Sequence, residues 1–387
     1  MKSPQFFIVG GCVRDRRLGL APHDFDVVVV GHTIKTFLEE FPEAKLVGAS
    51  FPVFLVNGEE FALARSERST GRGHTDFEVT FDATVTLQED LERRDLTINS
   101  GAECVDTGEL TADPRFLDDL QNRILRHTGP AFCDDPLRVF RVARFAAQFP
   151  DFTVAPETLE VMSRMHDALE ALPGERVFAE LYRALNAKAP RRFFDVLKEA
   201  KVLDVFFPEL AALIGIPAGP ALHHPEVDTF EHTMQVTHKV KGSIQRFAAL
   251  CHDFGKALTP PEELPTHHGH DERGVPLVEA FCKRLHVSSS HRSLAVLVTA
   301  QHMRVHTCLE MRAGKAVRLV REIIRKVGGF HDFLAVIEAD GWDGKEEFLR
   351  RAFKVLRVRL PSKYRNSPPA TIIGVITSLR AHAWKKI

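Results

Sequence analysis

Apolar residues near the start of the chain come in short runs that predict β-strands. Four runs are rich in β-branched or aromatic side chains, at residues 6–9, 26–30, 53–56 and 61–64. A short helix is predicted at residues 13–18, directly after the first run. The polar, glycine-bearing segment 68–77 is typical of a loop, and we interpret residues 69–75 within it as mobile. The first 110 residues therefore predict a mixed α/β fold.

From about residue 134 the apolar positions change to helical spacing. Helices are predicted around residues 137–145, 158–172 and 177–185, with Pro173-Gly174 separating the last two. A loop-like stretch at 215–225 indicates a domain boundary. A histidine-rich helical region follows to about residue 340, and a basic tail comes after it.

The bulk composition is typical of a globular protein with two or three domains. The 387 residues carry a net charge of −1, so binding to nucleic acid would need basic residues gathered on one face. The six cysteines are scattered without a C-x-x-C pair, which argues against a zinc ribbon or a disulfide framework. No apolar run is long enough for a bilayer, and the N-terminus lacks a secretory signal. We therefore expect a cytoplasmic protein without membrane association.

Two carboxylates, Asp24 and Asp26, precede the apolar run at residues 27–30. Residues i and i+2 of a strand project from one face, so the two side chains can share one or two Mg²⁺ ions. Such a site lowers the pKa of an attacking hydroxyl and neutralises a leaving pyrophosphate. A D-x-D alone is more often a pair of solvated charges, so its surroundings decide the interpretation.

A glycine turn stands shortly before this pair, in the sequence G-G-C-V-R-D at residues 10–15. Glycines such as Gly11 let a triphosphate approach the backbone, and the N–H groups that open a helix favour an anion. Arg14 adds a positive charge. Alone, this segment would be a tight turn with a surface arginine. Followed by a D-x-D, it predicts a site for a metal-bound triphosphate.

Four motifs follow one another along the chain: G-G-x-V-R-D at 10–15, D-x-D at 24–26, R-R-D-L-T-I-N at 93–99 and D-P-L-R-V-F-R at 135–141. They resemble those of the bacterial class II tRNA nucleotidyltransferases, the CCA-adding enzymes, and of their relatives, the bacterial poly(A) polymerases. The resemblance covers roughly residues 6–210. It implies an α+β fold, in which a nucleotidyltransferase head with a mixed, polymerase-β-like sheet precedes an all-α neck and body and an α-helical C-terminal domain.

The resemblance also implies roles for individual residues. Asp24 and Asp26 would be the catalytic pair that holds Mg²⁺, and Gly11 and Arg14 would contact the triphosphate. Arg94 and Asp95 would bind the sugar and phosphates of the nucleotide. Asp135 and Arg138 would select the base, and Arg141 and Arg144, at successive three-residue steps, would face the phosphates.

Base selection by an aspartate and an arginine agrees with hydrogen-bonding chemistry. Cytosine and adenine each offer an amino donor beside a ring-nitrogen acceptor, and a carboxylate next to a guanidinium matches that pattern. Taken alone, Asp135 and Arg138 would be an i, i+3 surface ion pair. The family usually has Glu at position 134, where this chain has Asp134. Glu175 and Arg176 match a motif thought to brace the base-reading helix.

The histidine-rich region resembles the HD superfamily of metal phosphohydrolases, whose minimal pattern is H…HD…D. His252 and Asp253 would be the HD pair, with His232 before it and Asp340 as the distal acid. Further histidine candidates are His267, His268, His270 and His302. A single histidine is more often a satisfied polar residue than a ligand. The metal would be Ni²⁺, Mn²⁺ or another divalent ion.

Together the resemblances predict four domains. They are a catalytic head at residues 1–132, a helical neck and body at 133–220 for base recognition and RNA binding, an HD phosphohydrolase-like domain at 221–340, and a basic helical tail at 341–387. The predicted activity is addition of CCA to tRNA from CTP and ATP. The HD domain adds expected phosphatase, 2′-nucleotidase and 2′,3′-cyclic phosphodiesterase activities in tRNA repair.

Two arginine-rich stripes in the last third are candidates for contacts with the tRNA backbone. One has Arg318, Arg321 and Arg325, and the other has Arg350, Arg351, Lys354 and Arg357. Solvated helix faces have the same pattern. A monomer or a homodimer is expected. Two alternatives stay open from the sequence: a poly(A) polymerase with the same chemistry, and a mainly hydrolytic HD protein whose head only binds RNA.

Overall fold

The computed structural model describes residues 5–22, 25–47, 52–69, 77–80, 82–220, 228–325 and 329–385. The chain divides into two compact units, Met1–Val205 and Phe206–Ile387. In the described residues, no helix combines the length and the apolarity that crossing a bilayer requires.

The first unit begins with the strands that the apolar runs predicted and then becomes helical. Its strands are β1 (Gln5–Val9), β2 (Asp26–Val30), β3 (Lys45–Val47), β4 (Val53–Val56), β5 (Glu59–Leu63), β6 (Ser66–Ser69), β7 (Phe77–Thr80), β8 (Gly101–Cys104), β9 (Leu110–Ala112), β10 (Ile124–Leu125) and β11 (Thr153–Val154). Its helices are α1 (Gly11–Arg17), α2 (Ile34–Glu40), α3 (Leu87–Glu92), α4 (Phe116–Gln121), α5 (Leu137–Gln148), α6 (Pro156–Ser163), α7 (His166–Leu169), α8 (Gly174–Leu185) and α9 (Arg191–Glu199), and α10 (Leu203–Phe206) lies at the boundary.

The main sheet of this unit is mixed, in the order β3-β4-β5-β2-β1-β8-β9. Strand β2 pairs antiparallel with β1 and parallel with β5. Consecutive residues of β2 belong to cores on opposite faces: Val28 packs with Phe7 and Leu91, whereas Val29 packs with Phe37 and Phe54. Because both faces are covered, the strand is apolar throughout except for Asp26 at its start.

Helix α5 carries most of the D-P-L-R-V-F-R motif, which is predicted to read the base, and packs against α8 and α9. The predicted helix at 158–172 is interrupted: α6 ends at Ser163 and α7 begins at His166. The Ser163 hydroxyl donates to the Glu160 carbonyl at 2.8 Å, and the next backbone bonds tighten to three-residue spacing, as from Met165 to Met162. A serine hydroxyl that competes for a helical carbonyl commonly ends or bends a helix.

The described part of the second unit is helical, as the spacing predicted. Its elements are α11 (Pro208–Ala211), α12 (Thr229–Lys239), α13 (Ser243–Cys251), α14 (His270–Arg284), α15 (Ser289–His306), α16 (Ala313–Arg325), α17 (Gly329–Ala339), α18 (Lys345–Arg357) and α19 (Pro369–Lys385), with 3-10 turns at Phe254–Leu258, Pro261–Glu263 and Ser362–Tyr364. Helices α12, α13, α15 and α17 pack together, and α14 covers the turn at Phe254–Leu258.

Candidate active site and metal cluster

The glycine turn between β1 and α1 brings two arginines to the same piece of backbone. Gly10 has φ of 68°, a left-handed conformation that favours glycine. A Cβ atom at Gly10 would lie 2.8 Å from Nη1 of Arg94, and one at Gly11 would lie 3.4 Å from Nη2 of Arg14. Two guanidinium groups therefore flank Gly10 and Gly11, which concentrates positive charge at the turn.

A series of hydrogen bonds joins this turn to helix α5. Arg14 Nη1 donates to Asn99 Oδ1 at 2.6 Å, and Asn99 Nδ2 donates to Asp95 Oδ1 at 2.9 Å. On the far side, Arg141 Nε donates to Asp95 Oδ2 at 2.7 Å. Three motifs that are far apart in sequence, around residues 14, 95 and 141, are thus joined through Asn99.

Electrostatic interactions keep Asp95 and Arg141 in their charged forms. Burial by itself would raise the pKa of Asp95, but Arg141 and the hydrogen bond from Asn99 outweigh burial and hold it well below its usual range. The same carboxylate raises the pKa of Arg141. Asp95 is therefore ionised at neutral pH and fixes the guanidinium of Arg141 in place.

The two arginines of the R-R-D motif share a buried carboxylate. Arg93 Nη2 lies 2.6 Å from one oxygen of Asp90, and Arg94 Nη2 lies 3.0 Å from the other. Asp90 is completely buried, and the two arginines outweigh the effect of burial and lower its pKa. Asp90 thus orients the Arg94 guanidinium towards the glycine turn.

The candidate base-reading pair lies at the start of α5. Asp135 Oδ1 accepts a hydrogen bond from the Leu137 N–H at 3.0 Å, and Arg176 of α8 approaches Asp135 Oδ2 at 3.1 Å. Arg138 is buried and donates to the carbonyl of Ala131. The contact from Arg176 agrees with the bracing role predicted for the Glu175-Arg176 motif.

Arg144 has a different environment from the one that its spacing predicted. It was expected to face phosphates, yet its Nε lies 2.6 Å from Oε2 of Glu180, a buried residue of α8. The guanidinium also lies 3.9 Å from the ring centroid of Phe145. Burial lowers the pKa of Arg144, and Glu180 opposes that effect. These contacts tie α5 to α8.

The D-x-D pair lies only partly within the described residues. Strand β2 begins at Asp26, whose alternation puts it on the face of Val28. Asp24 and residues 70–76 of the predicted mobile loop lie outside the described residues. A shared metal site at Asp24 and Asp26 therefore stays a prediction.

In the second unit, the predicted HD residues lie together around two buried carboxylates. Asp253 Oδ2 lies 3.1 Å from Nε2 of His252 and 2.8 Å from Nζ of Lys256. Asp340 Oδ1 lies 2.9 Å from Nε2 of His232 and 3.5 Å from Nε2 of His252. The distal acid chosen from the sequence is thus brought within contact distance of the two histidines.

Two further histidines lie near Oδ1, the other carboxylate oxygen of Asp253. His270 Nε2 lies 3.2 Å and His302 Nε2 3.7 Å from Asp253 Oδ1, and the two ring nitrogens are 2.9 Å apart. In both rings, Nδ1 bonds to a backbone carbonyl, of His267 and Thr299 respectively. A carbonyl only accepts, so Nδ1 carries a proton and Nε2 is left to act as a metal ligand.

The donor set fits a divalent metal ion. Two groups of three side chains have ligand atoms within 4.8 Å of one another: His232, His252 and Asp253, and Asp253, His270 and His302. His252 Nε2 lies 3.1 Å from Asp253 Oδ2 but has no hydrogen-bond partner in the described part of the chain. Imidazole and carboxylate groups suit Mn²⁺, Ni²⁺, Zn²⁺ or Fe²⁺.

Several ionisable groups of the cluster have strongly shifted pKa values. Burial lowers the pKa of His252, but the carboxylates of Asp253 and Asp340 outweigh it and raise the pKa to about 10. Burial lowers the pKa of His302 to about 4. The two acids have pKa values well below their usual range, because neighbouring cationic groups outweigh burial. Both carboxylates are therefore anionic ligands at neutral pH.

The other two histidines predicted as candidates, His267 and His268, do not belong to either group of potential metal ligands among the described residues. His267 bonds to Thr259 Oγ1 at 2.8 Å and to the Pro217 carbonyl at 2.7 Å, and it is absent from both metal-ligand groups. His268 is exposed. His306, which the sequence did not single out, lies 3.2 Å from Asp340 Oδ2 and is 30% exposed.

Gly255 lets the HD segment approach α14 closely. A Cβ atom there would collide with the carbonyl of His270 and lie 2.7 Å from the backbone nitrogen of Gly274. The turn at Phe254–Leu258 can therefore lie against α14 only because residue 255 has no side chain. This approach puts Asp253 beside His270.

Known proteins similar to this chain share most of its length. The multifunctional CCA protein of Nitrosococcus oceani is 46% identical over 346 residues, which cover 87% of this chain and 84% of the relative. That of Tolumonas auensis is 44% identical over 361 residues, which cover 90% of this chain and 87% of the relative. The chain belongs to the multifunctional CCA protein family. It is a nucleotidyltransferase.

Family models and solved structures agree with this membership. The poly(A) polymerase head domain matches residues 6–126, and the "probable RNA and SrmB- binding site of polymerase A" matches residues 151–214. A CCA-adding enzyme in an apo form has a TM-score of 0.69 at 20% identity, with 98% of this chain and 88% of that chain covered. The Thermotoga maritima CCA-adding enzyme complexed with tRNA gives 0.66 at 20% identity, with 98% and 86% covered. The predicted fold class is confirmed.

Proposed function

We propose that the chain adds C, C and A to the 3′ end of tRNA, taking the nucleotides from CTP and ATP and releasing pyrophosphate. Family membership supports this activity, because solved relatives are CCA-adding enzymes in complex with CTP, with ATP and with tRNA. The observation that carries the proposal is the convergence of Arg14 and Arg94 on the Gly10-Gly11 turn. A triphosphate needs such a combination of open backbone and paired guanidinium groups.

Each part of the first unit then has a chemical task. Arg14 and Arg94 neutralise the triphosphate at the turn, while Asn99 and Asp95 hold the first of them in register with α5. Asp135 and Arg138 present an acceptor and a donor to the Watson–Crick edge of cytosine or adenine. Arg176 keeps the carboxylate of Asp135 oriented for that task.

The carboxylates of Asp24 and Asp26 would hold Mg²⁺. Carboxylate oxygens are the ligands that this ion prefers, and Asp26 lies at the exposed start of β2. When bound, the ion would activate the 3′ hydroxyl and stabilise the leaving pyrophosphate.

We also propose that the second unit contains a metal-dependent phosphohydrolase site of the HD type, which removes phosphate from damaged RNA ends. The support is the buried cluster at His232, His252, Asp253 and Asp340, extended by His270 and His302. Asp253 directs its two oxygens to different histidines, so the cluster could hold one or two ions. The metal would supply an activated water.

A tRNA transcript ending at the discriminator base tests the first proposal. With CTP alone we expect addition of two C residues, and with CTP and ATP a complete CCA end. Long A tails made without regard to CTP would instead indicate a poly(A) polymerase. Absence of incorporation together with hydrolysis of phosphorylated ends would indicate a mainly hydrolytic protein.

Hydrolysis of 2′,3′-cyclic AMP with added Mn²⁺ or Ni²⁺ tests the second proposal. The variant His252→Gln should lose both this activity and bound metal, measured by elemental analysis, while nucleotide incorporation continues. His268→Gln is a matched control, because His268 is exposed. Equal hydrolysis by the two variants would contradict the proposal.

A further inference from the structure

Helix α16 presents an arginine-rich surface to solvent. Its apolar residues Ala316, Val317 and Val320 are buried, whereas Arg318 and Arg325 are exposed. A surface cleft of about 400 Å³ is lined by Arg318, Arg321, Glu322 and Arg325. We call these three arginines, together with Arg380 of α19, the α16 arginine surface.

The charges of this surface are not neutralised within the described chain. No carboxylate of the described residues lies within ion-pair distance of Arg318, Arg321 or Arg325. The acid of the cleft, Glu322, accepts a hydrogen bond from Gln301 at 2.9 Å and faces Arg304 at 3.7 Å. Its charge is therefore shared with α15.

Arg380 adds a fourth guanidinium that is incompletely bonded. Its Nε atom is buried and has no hydrogen-bond partner among the residues that the structure describes. Burial lowers the pKa of Arg380, and the nearby positive charge of Arg321 lowers it further. Like charges held together in this way favour an anion that binds between or beside them.

The second arginine stripe differs from the first. Arg350 Nε and Arg351 Nε both donate to the carboxylate of Glu347, at 2.7 and 2.5 Å. Arg351 also lies 5.7 Å from the Trp384 ring. Glu347 therefore balances one of these two positive charges within the helix, and the pair supplies a matched control for Arg318 and Arg325.

We propose that the α16 arginine surface binds the phosphodiester backbone of the RNA substrate. The interpretation rests on the proposed function, since it assumes that RNA is the substrate. From Arg318 to Arg325 the helix rises about 10 Å, a span that suits several successive phosphates better than one small anion. Guanidinium groups bind phosphate oxygens in pairs, which favours arginine at such sites.

The position of the surface agrees with a substrate that also reaches the HD cluster. Gln301 and Arg304, which contact Glu322, lie on α15 within two residues of His302, a member of that cluster. The arginine surface and the metal cluster thus lie on neighbouring helices of one unit. An RNA held by its backbone on α16 would have its strand close to the helix that carries His302.

The test is the salt dependence of tRNA binding, measured by fluorescence anisotropy between 50 and 300 mM KCl. The double variant Arg318→Gln, Arg325→Gln should bind at least about tenfold more weakly at 100 mM KCl. Its slope of log Kd against log [KCl] should be smaller by about 1.5, because each phosphate contact contributes about 0.7–0.9. The control Arg350→Gln, Arg351→Gln should stay within about threefold of the unaltered chain.

The outcomes separate this proposal from the proposed function. If the unaltered chain incorporates CTP and ATP into tRNA but the double variant keeps its affinity and slope, only the arginine surface is refuted. If the unaltered chain neither binds tRNA nor incorporates nucleotides, the proposed function fails first. Should poly-glutamate bind the unaltered chain but not the variant, with tRNA affinity unchanged, the partner is an acidic protein and the proposal is overturned. Both residues are exposed, and the single variant Arg325→Gln substitutes if the double variant fails to fold.

Discussion

Replacing Asn99 by alanine breaks the hydrogen-bond chain that joins the glycine turn to α5. Asn99 is 6% exposed and bonds to two ionised partners, Arg14 at 2.6 Å and Asp95 at 2.9 Å. A hydrogen bond to a charged group contributes about 1.5–3 kcal/mol. Arg14 keeps its contact with Asp15, and Asp95 keeps its bond from the Leu96 N–H, so the lower value applies to each bond. We therefore expect the free energy of unfolding of the first unit to fall by about 3 kcal/mol.

Urea unfolding of the full chain can assign this loss to the first unit. Both tryptophans, Trp342 and Trp384, belong to the second unit, so their fluorescence follows that unit while circular dichroism follows both. The control Asn122→Ala removes an exposed amide whose one bond among the described residues goes to the Asp118 carbonyl, and it should change stability by less than about 0.5 kcal/mol. Because Arg14 loses its bond to Asn99 and keeps only the one to Asp15 among these two, the KM for CTP should also rise about tenfold in Asn99→Ala, equivalent to about 1.4 kcal/mol. Unchanged unfolding and unchanged KM would refute the proposed coupling.

Three further changes test other contacts. Asp95→Asn should lower the free energy of unfolding at pH 7, measured by urea titration. The pKa of Asp95 is lower in the folded chain than in the unfolded chain, so its carboxylate stabilises the fold above the unfolded-state pKa of about 4. The difference between the variant and the unaltered chain should therefore shrink as the pH falls below about 4. Glu180→Leu should cost about 3–5 kcal/mol by calorimetry, because it leaves the buried cation of Arg144 without a counterion; a smaller loss than for exposed Glu160→Leu would contradict this. His302→Gln should lower the Mn²⁺ content measured by elemental analysis, whereas unchanged content would show that His302 is not a ligand.

The elements of the fold could be predicted where local sequence determines them. Residues 26–30 and 53–56 were predicted as strands and form β2 and β4 with those bounds. Strand β2 is a β-branched run whose central residues are all buried, and β4 is a short apolar run that alternates between buried and half-buried positions. The break after Ser163 was missed, since it depends on one hydroxyl bonding to a carbonyl. The partner strands of β2 also could not be predicted, because β5 lies about thirty residues away and its pairing is set by packing.

Residues of the candidate sites could be predicted where they belong to a recognisable sequence motif. Asp253 and Asp340 could be found because an HD pair and a distal acid have a recognisable pattern, and the structure brings them together around His252. Asn99 and Glu180 were missed as functional neighbours, since their partners lie on other elements. Asp90 carried a usable signal: it precedes Arg93 and Arg94 by three and four residues on a helix, the spacing of neighbouring side chains.

The proposed mechanism requires Asp24 and Asp26 for transfer of nucleotides to an RNA 3′ end. The most direct measurement is incorporation of labelled CTP and ATP into a tRNA transcript that ends at the discriminator base, with Mg²⁺ present. The unaltered chain and the surface control Asp106→Ala should complete the CCA end, and Asp24→Ala combined with Asp26→Ala should incorporate nothing above background. If incorporation survives the double change, these two aspartates are not the catalytic pair.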